Sequence, residues 1–279
     1  MKSLIRSLVL LFVVLFITGC FKVNTKVIVN ADGSGIIEEL LLLSDATIKI
    51  FNEFAGSFDE SAKDKNEFKV FKLEELKSKA ANYGSGVKFV SAQPHKPEGW
   101  DGYKVQYSFA DIKKVKMNMN EDKTPIGENQ LPAETESKPQ FVSFDFSKNR
   151  PAELTVIMPV KDFDDKKSET SETSGTAEVS SDTTGNAMLQ QMYEMMSEME
   201  MSFKVRVNGT ISETNATFVE GNTLTLMYIN FGSLLKNVEN IKEIESLVKI
   251  ESLEDAKKLM SKFDGIKIEI QDKVKVKFD

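Results

Sequence analysis

Val23-Asn24-Thr25-Lys26-Val27-Ile28-Val29 leads into Asn30-Ala31-Asp32-Gly33-Ser34-Gly35 and out again through Ile36-Ile37-Glu38-Glu39-Leu40-Leu41-Leu42-Leu43. Val23, Thr25, Val27 and Val29 alternate with Asn24, Lys26 and Asn30. A period of two is the signature of a strand with one face turned to a core. The stretch between the two arms holds Gly33 and Gly35, which supply the positive φ angles a tight turn needs. Residues 23 to 43 therefore read as a β-hairpin, and the rest of the chain is expected to build on a sheet.

Immediately upstream lies a segment of another kind. Lys2 and Arg6 precede ten unbroken apolar residues, Leu8 to Ile17, followed by Thr18, Gly19 and Cys20, the only cysteine in the chain. The apolar run is well short of the roughly 18 residues that a membrane span needs, so residues 1–19 read as a removable targeting peptide. Ile17-Thr18-Gly19-Cys20 resembles the box of bacterial lipoprotein signals, which is cleaved before the cysteine, whose sulfur receives diacylglycerol. By that resemblance Cys20 becomes the first residue of the mature chain and its lipidation site. An ordinary signal peptide with an incidental cysteine is the alternative, and it would leave one unpaired thiol exposed outside the cell. The first strand begins three residues after Cys20, so the domain has almost no tether and is expected to lie close to the membrane.

The whole chain holds 36 basic and 43 acidic residues; removing residues 1–19 takes Lys2 and Arg6, leaving 34 against 43 and a net charge of −9. An acidic balance argues against nucleic acid as a partner and against electrostatic attachment to anionic headgroups, because both rely on clustered Lys and Arg. Lipid is then expected to hold the protein to the membrane. Each buried methylene is worth about 0.8 kcal/mol and one acyl chain binds only marginally, so a diacylglycerol is enough for stable anchoring.

Downstream of the hairpin, Ser44-Asp45 reads as a helix cap, with helices to about residue 66 and over about 70–83. Val87 to Val90 and the alternating Tyr103, Val105, Tyr107 and Phe109 read as strands. Residues 118–140 carry Pro125, Pro132 and Pro139 and read as an exposed excursion. A second hairpin is expected across Pro151, with Val142, Phe144 and Phe146 facing Leu154, Val156 and Met158. From Lys167 to Asn186 ten of twenty residues are Ser or Thr and none is aromatic, so residues 161–186 are expected to form a disordered loop. A methionine-rich helix over 187–200 follows, then strands over about 202–212 and 217–229. Helices are expected over about 232–248 and 253–263. A closing hairpin would set Ile266, Ile268 and Ile270 against Val274, Val276 and Phe278.

The order hairpin, helices, hairpin occurs at both ends. Leu73-Glu74-Glu75-Leu76-Lys77 aligns with Leu253-Glu254-Asp255-Ala256-Lys257, and Gly86-Val87-Lys88-Phe89 aligns with Gly265-Ile266-Lys267-Ile268. Two similar halves, 20–160 and 187–279, account for this; so does convergence on a common helix-glycine-strand unit. Either way the fold class is α+β, with antiparallel hairpins and helices packed on one face.

Asn24-Thr25-Lys26-Val27 with Asp32-Gly33-Ser34-Gly35 follows closely on the cysteine. Together with Asn208-Gly209-Thr210-Ile211-Ser212-Glu213-Thr214-Asn215-Ala216 and Glu220-Gly221-Asn222-Thr223-Leu224-Thr225-Leu226, it resembles the LppM-type family of bacterial envelope lipoproteins. The resemblance implies an envelope-facing α+β lipoprotein domain and carries over no catalytic residues. Some members have a second membrane segment near the C-terminus; this chain ends on Phe278-Asp279. Phe21 after the cysteine resembles outer-membrane sorting in two-membrane bacteria.

Other motifs in the chain have simpler readings beside the functional one. Asn30, Asp32 and Glu39 imitate part of a calcium loop, but Ile28 holds its first position and the flanks are strands, so a hairpin turn is expected. Met188, Met192, Met195 and Met199, beside Met196 and Met201, could present soft thioethers to Cu(I), or form an apolar stripe that packs on a core or partner; packing is the expectation. His95, the sole histidine, lies between Pro94 and Pro97 as a loop residue without a second His or Cys for a metal site, and Trp100 is expected to plug the adjacent hairpin. Neither a phosphate loop, a dinucleotide fingerprint nor Gly-x-Ser-x-Gly is present. The chain is read as a non-catalytic, lipid-anchored envelope protein. It would sit on the cell or outer membrane, facing the periplasm or exterior, and bind a partner protein or an apolar envelope molecule without a cofactor. A carboxylate-dependent hydrolase and a Cu(I)-binding lipoprotein are the alternatives.

Overall fold

A computed structural model describes residues 21–58, 68–118, 140–159, 197–235, 263 and 265–279. The signal segment with Cys20, nearly all of the 118–140 excursion, the Ser/Thr tract 161–186, the methionine-rich stretch up to Met196, and most of the helices expected between 232 and 263 lie outside them.

In chain order the elements are β1 Phe21–Val29, β2 Gly35–Ser44, α1 Asp45–Phe58, α2 Leu73–Ser78 running into a 3-10 turn Lys79–Tyr83, β3 Lys88–Pro94 and β4 Trp100–Phe109. A 3-10 turn at Ile112–Lys114 precedes β5 Lys116–Asn118, β6 Phe141–Ser147 and β7 Ala152–Ile157. The rest are β8 Glu200–Val207, β9 Ile211–Thr214, β10 Val219–Glu220, β11 Thr223–Asn230, α3 Phe231–Leu235, β12 Ile266–Ile268 and β13 Lys273–Phe278.

The hairpin that organises the sequence sits in the middle of the larger sheet. β1 and β2 pair antiparallel from Phe21↔Leu43 to Val29↔Gly35. Around them the order is β10-β11-β8-β1-β2-β4-β3, with β12 on β11. The alternation read in the sequence sorts the faces. Val23, Val27 and Val29 of β1 and Ile37, Leu41 and Leu43 of β2 are buried, as are Tyr103, Val105, Tyr107 and Phe109 of β4. The smaller sheet has the order β5-β6-β7-β13-β9 and contributes Val142, Phe144, Phe146, Leu154, Val156, Val274, Val276 and Phe278 to the same core. Leu76, Ala80 and Tyr83 join it from α2 and the following turn. The architecture is α+β: two mainly antiparallel sheets share one apolar core with short helices.

At the turn end of the hairpin the two sheets meet. Gly33 has φ +83°, and an added Cβ there would lie 2.8 Å from the Phe146 ring. The position thus needs glycine for conformation and for space. Ile112 N donates to Gly33 O at 2.9 Å and fixes the turn against the connection to β5.

Three pairings differ from the sequence expectation. First, β1 and β8 run side by side in parallel, Lys22↔Glu200 to Val29↔Val207. Second, the strand expected over 202–212 is two strands in different sheets: the chain leaves the large sheet after Val207, Asn208 N donates to Val29 O, and Ile211–Thr214 pairs with β13. Gly209 permits the crossing, because a Cβ there would lie 2.0 Å from Asp279 O. The 217–229 strand is likewise broken by a turn at Gly221, with φ +58°, into β10 and β11. Third, residues 266–278 do not close as a hairpin. β12 pairs with β11 in the large sheet, and β13 pairs with β7 and β9 in the small one. Alternation tells which side of a strand is buried, and it does not tell which neighbour the strand takes.

The crossover between β12 and β13 is held by a carboxylate. Glu269 is buried, and its Oε2 accepts from Thr217 N at 2.7 Å while Oε1 accepts from Thr217 Oγ1 at 3.0 Å, Ile270 N at 3.1 Å and Gln271 N at 3.3 Å. One side chain therefore satisfies the backbone where the chain changes sheets, as buried polar groups require.

Candidate functional site

The large sheet ends, on the side where β1 begins, in a rim. It is formed by the end of β11, the starts of β8 and β1, the end of β2, the start of β4 and the end of β3. Phe21 is level with Leu43 and Leu43 with Asp101; one step further out, Ser44 is level with Trp100.

Local chemistry explains why the chain turns here into α1. Ser44 Oγ accepts from Thr47 N at 3.2 Å and lies 3.0 Å from Thr47 Oγ1, the N-cap expected at this position. Asp45 follows in the first turn, where a negative charge is favoured by the helix dipole. The proline-flanked connection from β3 to β4 folds onto this corner. His95 N donates to Gly102 O at 2.8 Å, Trp100 N to Pro97 O at 2.9 Å and Asp45 N to Gly99 O at 3.0 Å. An open hollow of about 460 Å³ lies beside it, lined by Asp45, Ile48, Lys49, Asn52 and Asp101. Asp101 Oδ2 is paired with Lys96 Nζ at 2.7 Å, while its Oδ1 is enclosed and finds no hydrogen-bond partner among the described residues. Asn52 Oδ1 is taken by Phe68 N at 2.7 Å. On the outer face, Lys22 Nζ sits 4.0 Å from the centre of the Trp100 ring.

The residues singled out in the sequence fall as follows. Cys20, Met188, Met192, Met195 and Met196 lie outside the described residues. Met199 O accepts from Phe231 N, and Met201 sits in β8 between Val23 and Ile229, so the described end of the methionine run belongs to the sheet. His95 is half-buried in its loop. Among the described residues no group of three or more His, Cys, Asp or Glu could hold a metal ion. The calcium-like loop spends its oxygens on the turn: Asn30 Nδ2 donates to Ser34 Oγ, and Asp32 Oδ1 accepts from Ser34 N at 2.9 Å and Ser34 Oγ at 2.6 Å. Those bonds hold the Asp32 carboxyl below the usual carboxylate range.

Sequence reasoning missed the most heavily hydrogen-bonded side chain of the hairpin. Glu39 points into the core between Ile37 and Leu41, its side chain 1% exposed. Lys79 Nζ donates to its Oε1 at 2.7 Å, Tyr103 OH to the same oxygen at 3.3 Å, and Tyr83 OH to Oε2. Tyr107, its ring 5.0 Å from that of Tyr83, donates instead to Leu76 O at 2.9 Å. One signal was available: an acid stands at an inward position of β2, where its neighbours of the same parity are Ile and Leu. The residues lining the hollow do not include Glu39.

Burial, and after it the negative charge of Glu39, pushes the Tyr83 hydroxyl well above 10; the same two causes raise Tyr103. Both phenols stay protonated in the folded chain while the unfolded chain ionises them near 10. The unfolded state then binds fewer protons, so stability falls as pH rises past about 10. Urea unfolding at about pH 8 and about pH 11 checks this, and the fall should be shallower in a Tyr83→Phe, Tyr103→Phe double variant.

No family model matches the chain, and no curated protein matches it. A solved structure resembles it. This is the folded domain of the Mycobacterium tuberculosis LppM protein, solved by NMR; the alignment covers 94% of this chain and 91% of that one, at 8% identity and a TM-score of 0.32. A likeness of that strength leaves function to be argued from the residues themselves.

Proposed function

We propose that this chain is a lipid-anchored protein of the bacterial cell envelope with a binding or structural role and no catalysis of its own. One observation carries the reading: Leu8 to Ile17 and Thr18-Gly19-Cys20 abut a folded domain whose first strand starts at Phe21. An acylated Cys20 would be joined to the sheet by a single peptide bond, with no linker to lift the domain away from the bilayer. The net charge of −9 after residue 19 supports attachment through lipid, since the surface offers little to anionic headgroups. Among the described residues no helix is long and apolar enough to cross a membrane.

The open hollow beside α1 suits a protruding side chain or headgroup of an envelope partner better than an enclosed small molecule, which would be surrounded on most sides. Metabolic labelling with a palmitate analogue tests the anchor. The wild-type chain should take up label, and Cys20→Ala should accumulate as an unlabelled precursor; full label on the alanine variant would remove the lipoprotein reading.

A further inference from the structure

We propose that the rim around Trp100 and Lys22 is a second, non-covalent membrane contact, seated in the headgroup layer of the bilayer. The inference rests on the lipoprotein reading and specifies which surface of the domain meets lipid. Consecutive Cα atoms are about 3.8 Å apart, so acylation at Cys20 fixes Phe21 within one residue of the anchor. The headgroup region adds only about 5–8 Å on each side of the hydrocarbon core. The end of the sheet at which β1 begins cannot then stand clear of it.

That end displays the right groups. Trp100 is one register step nearer the rim than Asp101, the residue level with Phe21, and lies two strands away, about 10 Å. Its indole is half-buried on the outer face of the sheet, beneath the Lys22 ammonium 4.0 Å from the ring centre. An indole is apolar in body and polar at its N–H, and the lysine stem can extend while its charge stays in water, the combination that favours the bilayer interface. Charges at the rim do not favour anionic lipid: Lys22, Lys49 and Lys96 stand against Asp45, Glu98, Asp101 and Glu200, the last level with Lys22 at the start of β8. The contact therefore belongs to the indole and to a zwitterionic interface, and salt should not weaken it.

Trp100 is the only tryptophan in the chain, so its emission reports on this rim alone. The acylated protein, extracted from membranes and with the mass of its Cys20 peptide determined, is reconstituted in phosphatidylcholine vesicles. Matched vesicles carry bromine on the acyl chains, either near the headgroup or near the chain end. The expected result is loss of most Trp100 emission with shallow bromine, a smaller loss with deep bromine, and no change on adding salt. Acylated Cys20 with unquenched Trp100 would overturn the interfacial contact and leave the lipoprotein reading standing. An unmodified Cys20 would overturn both.

Discussion

Glu39→Ala should destabilise the folded chain by about 3–5 kcal/mol, the cost typical of removing one partner from a buried, hydrogen-bonded ion pair. The substitution strips Lys79 and the hydroxyls of Tyr83 and Tyr103 of their common acceptor, in the core between β2, β4 and the turn after α2. Lys79, with a side chain 21% exposed, can swing toward water, but the two phenols are buried and must stay. A control separates lost hydrogen bonds from lost volume. Converting the set together (Glu39→Leu, Lys79→Met, Tyr83→Phe and Tyr103→Phe) should cost far less than Glu39→Ala alone, because no buried polar atom is left without a partner. Urea midpoints at constant m-value give the comparison. A Glu39→Ala loss under about 1 kcal/mol would mean that the cluster is not formed as described.

Phe278→Ala should have an effect of the same size, about 3–5 kcal/mol, from lost burial and the cavity left behind. Phe278 is fully buried one residue from the end of the chain, in the strand that lies between β7 and β9. Its ring packs 6.5 Å from that of Phe146, and the next residue exchanges backbone hydrogen bonds with Thr210. Lys277→Ala is the internal control. Lys277 pairs with Glu213 at 2.6 Å, but both side chains are exposed and solvent screens the pair, so its loss should change the unfolding midpoint little. If the two variants behaved alike, β13 would not hold the centre of the small sheet.

The elements were legible where one period held over several residues. β1, β4, β6 and β7 lie where alternation put them, β2 lies where the glycine turn led the chain, and the Ser44 cap starts α1 as its side chain dictates. Neighbours were less legible. Ile266–Ile268 and Lys273–Phe278 alternate well enough to look like one hairpin, yet they enter different sheets, because Glu269 turns the chain by binding Thr217, more than fifty residues upstream. The β1 to β8 parallel pair joins positions about 180 residues apart, and no local pattern announces a partner at that distance. The rim was half legible: the adjacency of Cys20 to the first strand is plain in sequence, while the register that brings Trp100 to the same edge is set by pairing across β2. Glu39 looks in sequence like an incomplete calcium position, while its inward parity marks it as a buried acid in need of donors.

The most direct measurement is the mass of the N-terminal peptide of the protein extracted from bacterial membranes. Cleavage between Gly19 and Cys20, with diacylglycerol on the cysteine sulfur, would establish the anchor on which the proposed function and the Trp100 contact both depend. A free Cys20 thiol, or a chain still carrying residues 1–19, would refute it.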